Sequence, residues 1–340
     1  MKAFKYVLLL LLILVIGVSI YIAVQPNSFE VSRTQNINAP QSVVYNNVID
    51  FKNWESWSPW VEENPKTVIT LPEKTKGIES FYEWKDDDGT GRMTTTETQP
   101  NSSITQEMQF ADYPISDVNW SFKSNDDGTT NVTWTISGDN LPFGFKMFSA
   151  FMGGMEKQIG PRFERGLTLL DSVVQAEMKV YSIKVEGVTQ HSGGYYLYNT
   201  TSSKFNNFKE NMQTHISKVG AYAVTHNISM AGTPFVIYHK WDEANDAIIF
   251  SSCIPTNSRI ISEEPEVLTG QLESFRTVKT LLKGDYSNLK EAWGATKKYI
   301  ADNNLKIKES GPMIETYLTM PENYPNPADW RTELYIAVEE

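Results

Sequence analysis

The sequence predicts an α+β protein in which an N-terminal membrane helix precedes two antiparallel-sheet domains. Three features support this prediction: an uncharged apolar run near the N-terminus, a series of short alternating segments after residue 28, and a unit that occurs twice after Met178. Antiparallel strands need only short turns between them, and helices then cover one face of the sheet. We expect a transmembrane anchor at residues 1–26, a sheet domain at 28–176 and a duplicated domain at 178–340.

The apolar run extends from Val7 to Val24, and no charge recurs before Glu30. A helix rises 1.5 Å per residue, so about 20 such residues cross a hydrocarbon core of about 30 Å. Lys2 and Lys5 precede the run, which favours a cytoplasmic N-terminus and an extracytoplasmic body, periplasmic in a Gram-negative cell. A cleaved signal peptide is the alternative, although bulky residues stand where cleavage requires small ones.

Composition excludes several function classes. The net charge of −11 opposes a nucleic-acid surface, because phosphate binding needs clustered Lys and Arg. Cys253 is the only cysteine, so the chain has no internal disulfide and no cysteine metal site. The four histidines are dispersed without metal-ligand spacing. We therefore expect no metal, no cofactor and no nucleic-acid partner.

The first sheet domain reads as a meander followed by a helix. Turns at residues 86–89, 99–101 and 126–128 separate strands that are rich in Trp, Phe and Thr. After Gly144 apolar residues recur at helical spacing over about thirty residues. They predict one long helix that packs on the sheet through its apolar side. Those residues are Phe148, Phe151, Met152, Met155, Ile159, Phe163, Leu167, Leu170 and Val173.

Several segments of this domain resemble the START-like, or polyketide-cyclase-like (SRPBCC), superfamily. The segments that carry the resemblance are Ile37-Asn38-Ala39-Pro40, Val43-Val44, Phe51, Trp54 and Trp57-Ser58-Pro59-Trp60. The resemblance implies a helix-grip fold, in which the long helix closes a cavity for hydrophobic small molecules against a curved sheet. The alternative is that the tryptophan rings themselves fill the core.

The second domain contains a duplicated β-α-β-β unit. In each copy an amphipathic helix precedes two strands, the first copy with Phe205 to Val219 and the second with Tyr286 to Ile300. Such a repeat places all strands in one antiparallel sheet with both helices on one face. We expect the other face to be open or concave.

The second copy resembles the GyrI-like family, the effector-binding domain of some AraC-type and multidrug-responsive regulators. The resemblance rests on Gly284-Asp285-Tyr286 through Trp293, on Ile314-Glu315-Thr316-Tyr317-Leu318 and on Thr332-Glu333-Leu334-Tyr335-Ile336. It implies that Glu333 occupies the position of the family's ligand-binding acid. Regulators of that family carry DNA-binding helices, whereas this chain has a membrane helix and a START-like domain. We therefore expect no transcriptional role.

Strand alternation predicts the site itself. Glu315 shares a face with Tyr317, and Glu333 shares a face with Tyr335. If the aliphatic residues pack under the helices, both carboxylates line the concave face. A carboxylate among aromatic rings attracts a cationic or polar-headed apolar ligand. The predicted ligand-binding residues are Glu333, Glu315, Tyr317, Tyr335, Trp293 and Tyr196. The alternative is an ordinary exposed sheet face.

These features predict a membrane-anchored extracytoplasmic protein that binds a hydrophobic or cationic small molecule without catalysis. A hydrolase is the first alternative, because some GyrI-like proteins use a pocket Glu with aromatic neighbours. An interaction scaffold for another envelope protein is the second.

Overall fold

The computed structural model describes residues 2–87 and 89–340, so Asp88 of the predicted turn at 86–89 lies outside the described residues. The chain forms two compact units, residues 1–177 and 178–340. Helix α1, Lys2–Ala23, opens the first unit. Its segment Phe4–Ala23 is long and apolar enough to cross a membrane, and nearly all of it is exposed.

A seven-stranded antiparallel sheet forms the body of the first unit, in the order β1-β7-β6-β5-β4-β3-β2. Its strands are β1 Phe29–Ile37, β2 Val68–Thr70, β3 Phe81–Lys85, β4 Thr90–Gln99, β5 Ser103–Phe110, β6 Ser116–Ser124 and β7 Thr130–Gly138. Two short helices, α2 Gln41–Ile49 and α3 Pro59–Glu63, connect β1 to β2. Residues of β7 alternate between buried and half-buried, as expected for a strand with one face in the core.

The predicted single long helix is wrong: the segment forms two helices, α4 Phe143–Met152 and α5 Met155–Met178. Gly153 and Gly154 separate them with φ angles of 86° and 89°, in the left-handed region where glycine carries no Cβ penalty. Only α5 buries side chains against the sheet. Its Phe163, Leu167, Leu170 and Val174 are buried, whereas α4 has no buried residue.

Aromatic rings occupy the space between α5 and the sheet. The Trp134 ring stacks on Phe163 of α5 and on Trp120, with centroid distances of 3.9 Å and 4.3 Å. Trp54 and Trp57 approach the same rings and are also buried. These side chains pack across the region where the START-like resemblance implies a cavity.

The second unit is an eight-stranded antiparallel sheet in the order β12-β9-β11-β10-β14-β15-β13-β8. Its strands are β8 Ser182–His191, β9 Gly194–Ser203, β10 Phe235–Asp242, β11 Ala247–Thr256, β12 Leu268–Leu272, β13 Phe275–Lys283, β14 Met313–Tyr317 and β15 Arg331–Ala337. Its helices are α6 Phe208–Thr225 and α7 Leu289–Asp302.

The predicted duplication is present in this sheet. The two copies are β9-α6-β10-β11 and β13-α7-β14-β15, and β10 pairs with β14 at their junction. Both helices pack on one face, α6 over Val236 and Phe250 and α7 over Leu334 and Ile336. The structure adds β8 and β12, each paired to the first strand of the other copy. The α+β class with two antiparallel sheets is confirmed.

Candidate functional site

The register of β14 and β15 places the two predicted carboxylates on opposite faces of the sheet. Thr316 lies directly across from Glu333, and Glu315 lies across from Leu334. Residues opposite one another in an antiparallel pair project to the same face. Glu315 therefore points toward the helices and Glu333 away from them. The prediction that both carboxylates line one concave face is wrong.

Glu315 belongs to a hydrogen-bond network beneath the helices. The Trp293 indole donates to Oε1 at 2.5 Å, and the Tyr317 hydroxyl donates to Oε2 at 2.8 Å. Tyr238 of β10, which the sequence did not indicate, is a further donor to this carboxyl. Burial raises the pKa of Glu315, and the hydrogen bonds from these three residues oppose that rise.

This network is sealed from the open face. The Glu315 residue is only 2% exposed, and the Tyr317 hydroxyl also lies 3.0 Å from Sδ of Met212 on α6. Burial raises the pKa values of Tyr238 and Tyr317 well above 10, so both hydroxyls stay protonated and can donate. Glu315, Tyr317 and Trp293 thus come together as predicted neighbours, but they do not meet Glu333.

Glu333 lies in a charged cluster on the open face. Nζ of Lys279 lies 2.7 Å from Oε1 of Glu333 and 3.3 Å from Oε2 of Glu186. The Tyr335 hydroxyl donates to Oε2 of Glu333 at 2.5 Å. Lys184 also reaches Glu186, at 3.6 Å, but its side chain is three-quarters exposed and water screens its charge. The shielded part of this cluster, Glu333, Glu186 and Lys279, therefore carries a net charge of −1.

Lys279 and Glu186 were missed by sequence reasoning. The available signal for Lys279 was a lysine in the middle of the mostly buried strand β13. The side chains of Glu333 and Lys279 are 16% and 25% exposed, so water screens their interaction only in part. Burial lowers the pKa of Lys279, and its bonds to Glu333 and Glu186 outweigh that effect, so the net shift is upward. The lysine is therefore a cation at neutral pH.

Aromatic rings surround this cluster. The ring of Tyr335 lies 6.0 Å from Nζ of Lys279 and 5.0 Å from the ring of His191. His191 also stacks on Phe275 at 4.8 Å, and its Nδ1 accepts the Gly193 N–H at 3.0 Å. The neutral imidazole therefore carries its proton on Nε2. Burial lowers the pKa of His191, and the charge of Glu333 opposes this.

A cavity of about 300 Å³ opens beside the cluster. Tyr196, Phe235, Thr316 and His191 are among its lining residues. Glu333 does not line it directly, but its cross-strand neighbour Thr316 does. The Tyr196 ring packs edge-on against Phe235 at 5.4 Å. Burial, with smaller contributions from Cys253 and Tyr198, raises the pKa of Tyr196 to about 12, so its hydroxyl is neutral.

Another depression lies in the second unit. It has a volume of about 370 Å³ and is lined by residues between Arg259 and Thr269 and by none of the predicted site residues. Within residues 2–87 and 89–340, no group of three or more His, Cys, Asp or Glu side chains is arranged to hold a metal ion.

Comparison with known families divides the chain near residue 175, close to the boundary between the two compact units. Residues 28–175 match the family model described as polyketide cyclase / dehydrase and lipid transport. Residues 173–339 match the model described as GyrI-like small molecule binding domain. No curated protein matches the chain.

Many solved structures are similar to parts of the chain. The EcmrR C-terminal domain is 17% identical over 47% of this chain and 99% of its own, with a TM-score of 0.40. The Zhui aromatase/cyclase from Streptomyces sp. R1128 is 12% identical over 45% and 99%, with a TM-score of 0.35. Protein CV1439 from Chromobacterium violaceum is 16% identical over 44% and 99%, with a TM-score of 0.33. Likeness at this level carries no information on ligand or activity.

Proposed function

We propose that this chain, which joins a polyketide cyclase-like domain to a GyrI-like small-molecule-binding domain, is a membrane-anchored extracytoplasmic receptor for an apolar organic cation. The cation binds on the open face of the GyrI-like domain. Its charge pairs with Glu333, and its apolar groups enter the neighbouring cavity. Helix α1 is the anchor, since Phe4–Ala23 has the length and apolarity of a membrane span.

The position of Lys279 is the observation that carries this proposal. Its ammonium group already lies where a bound cation would lie, 2.7 Å from the Glu333 carboxylate and 6.0 Å from the Tyr335 ring. A cation over an aromatic ring gains about 0.5–2 kcal/mol, more where water is excluded. Because Glu186 and Glu333 together outnumber Lys279, the cluster attracts a second positive charge.

The cavity supports an apolar body for that cation. Its volume of about 300 Å³ is at the lower end of small-molecule sites. Tyr196, Phe235 and Leu272 provide apolar walls, while Thr316 connects them to Glu333. A ligand with a charged centre and aromatic or aliphatic substituents matches this arrangement, in which apolar cavity walls lie next to a charged cluster.

The same geometry favours binding over hydrolysis. Both oxygens of Glu333 already accept hydrogen bonds, one from Lys279 and one from Tyr335, which suits a fixed charge that attracts a cation better than an acceptor for a reacting proton. Glu315 is buried beneath the helices and does not line the cavity. General acid–base catalysis needs a carboxyl within hydrogen-bond reach of the reacting group. Binding is therefore the function that we propose.

Titration of the full-length protein in detergent with tetraphenylphosphonium tests this function. We expect saturable binding that weakens about tenfold in Glu333→Gln, equivalent to about 1.4 kcal/mol. Glu339→Gln, at an exposed carboxylate near the C-terminus, is the matched control and should leave the affinity unchanged. Absence of saturable binding, or equal affinities for wild type and Glu333→Gln, would contradict the proposal. A protein partner recovered by cross-linking alongside such a result would favour the scaffold instead.

A further inference from the structure

Helix α4 exposes an apolar face. Phe143, Met147, Phe148, Phe151 and Met152 are all exposed, and Phe151 is 71% exposed. Their spacing places them along one side of the helix. A helix on the surface of a soluble domain ordinarily turns its polar side to water. The exposed side of α4 is therefore the side that a soluble domain would bury.

The opposite side of α4 is attached to its own domain. The Phe145 ring stacks on Phe29 at 5.8 Å and meets Tyr113 edge-on at 5.5 Å. Tyr113 and its neighbour Ile115 are themselves exposed. Since aromatic contacts fix the orientation of α4, its outward stripe is a defined surface. Single exposed apolar residues are common, but a contiguous patch marks an interaction site.

The start of α4 is held where α1 ends. The Leu141 N–H, two residues before the helix, donates to the Asn27 carbonyl at 3.1 Å. Asn27 follows the last residue of α1, Ala23, by only four positions. Helices α1 and α4 are also in contact. A chain that leaves a membrane span places these first residues at the bilayer surface, and α4 is tied to that point.

We infer that α4 lies in the interface of the bilayer that α1 crosses, with its aromatic stripe among the upper acyl chains. The inference rests on the proposed anchoring by α1. Interfacial helices bury an apolar face about 5–10 Å into the boundary between headgroups and acyl chains. The partner is thus the extracytoplasmic lipid surface, and α4 orients the first domain against it. A protein would need to reach the same stripe next to the membrane, whereas lipid is already there.

Depth-dependent fluorescence quenching in the full-length protein tests this inference. A fluorophore is attached to a cysteine introduced by Phe151→Cys, and the protein is reconstituted into phosphatidylcholine vesicles with brominated acyl chains. The native Cys253 is fully buried and does not compete for the label. Leu12→Cys within α1 is the positive control. Val68→Cys, at an exposed site on β2 at the sheet edge opposite β1, is the negative control.

We expect bromine quenching at position 151 to approach that at position 12 and to exceed several-fold that at position 68. If position 12 is quenched and position 151 behaves like position 68, the inference is overturned while the anchor stands. If position 12 is not quenched, both the anchor and the inference fail. If position 151 is shielded from aqueous iodide but not quenched by bromine, protein covers α4 and the inference is wrong.

Discussion

Nζ of Lys279 lies 2.7 Å from Oε1 of Glu333, so the carboxylate proposed to bind a cation already holds one from its own chain. Lys279 pairs with Glu333 when no ligand is bound, which avoids the cost of a partly buried carboxylate without a partner, while the cluster as a whole keeps one excess negative charge. A cationic ligand must therefore share or displace this lysine. The lysine sets the affinity as much as the carboxylate does.

Replacing this internal cation should tighten ligand binding. In Lys279→Met the methylene stem is largely retained, but the competing positive charge is lost and Glu333 keeps only its hydrogen bond from Tyr335. We expect tetraphenylphosphonium to bind several-fold more tightly, at some loss of stability in the free protein. Calorimetric titration measures both the affinity and its heat. Lys283→Met, which removes an exposed lysine from the same strand, is the control. Weaker binding by Lys279→Met would contradict the competing role.

Glu315 should make stability depend on pH. Its folded-state pKa is raised above the ordinary value of 4.5 by burial, so the folded chain holds the proton more tightly than the unfolded chain. Its contribution is fully present below about pH 4.5 and is lost as pH rises through the folded pKa. Gln at this position has no proton to lose. We therefore expect Glu315→Gln to gain stability relative to wild type as pH rises.

Urea unfolding in detergent at about pH 4.5 and about pH 8 measures this difference. Other groups that face Glu315 are Tyr238, Tyr317 and Tyr286, and their pKa values are raised by burial, so none ionises in this range. Glu309→Gln, at an exposed site in the same unit, is the control. A stability difference between Glu315→Gln and wild type that stays constant with pH would contradict this account.

The tryptophan core offers a matched pair of substitutions. Trp54 donates its indole N–H to the Val48 carbonyl at 2.7 Å, whereas the buried indole N–H of Trp57 has no partner among the residues that the structure describes. Replacement by Phe removes a similar volume at each position. Only Trp54→Phe also loses a hydrogen bond and leaves an acceptor behind. We expect it to unfold with a free energy about 1–3 kcal/mol lower than Trp57→Phe. Equal losses would indicate that ring packing alone determines stability there.

Close packing between α5 and the sheet should make Gly166 intolerant of a side chain. A Cβ at this position would lie 2.9 Å from the Trp134 ring and 3.1 Å from Pro59. Alanine ordinarily favours a helix over glycine by about 1 kcal/mol. Here the overlap should reverse that sign, so we expect Gly166→Ala to lower the melting temperature. Gly144→Ala in α4, where a Cβ meets no atom within 4 Å, should not lower it.

Periodicity and turns predicted much of the fold. The helical spacing from Phe205 and from Tyr286 located α6 and α7, and the repeated order of strands predicted their common face. The long helix failed because a periodic apolar stripe does not reveal where its backbone turns. Gly153 and Gly154 were the available signal, since consecutive glycines can take the left-handed conformation that ends a helix.

The site was only half predictable for a different reason. Alternation correctly grouped Glu315 with Tyr317 and Glu333 with Tyr335, because side chains alternate within one strand. Alternation alone does not show whether the odd or the even residues of a neighbouring strand lie on the same face. That depends on register, which here sets Thr316 opposite Glu333. A carboxylate under the helices also contradicts the usual polar-outward pattern, and only its three donors make it tenable.

The most direct test of the central claim compares tetraphenylphosphonium with tetraphenylborate, which have nearly the same shape and opposite charges. For each protein, the affinity for the phosphonium is divided by the affinity for the borate. We predict that this ratio is at least about tenfold higher in the wild-type protein than in Glu333→Gln. Comparing the two proteins cancels the different partition of the two ions into detergent. Equal relative affinities in wild type and Glu333→Gln would contradict a charge-selective site at Glu333.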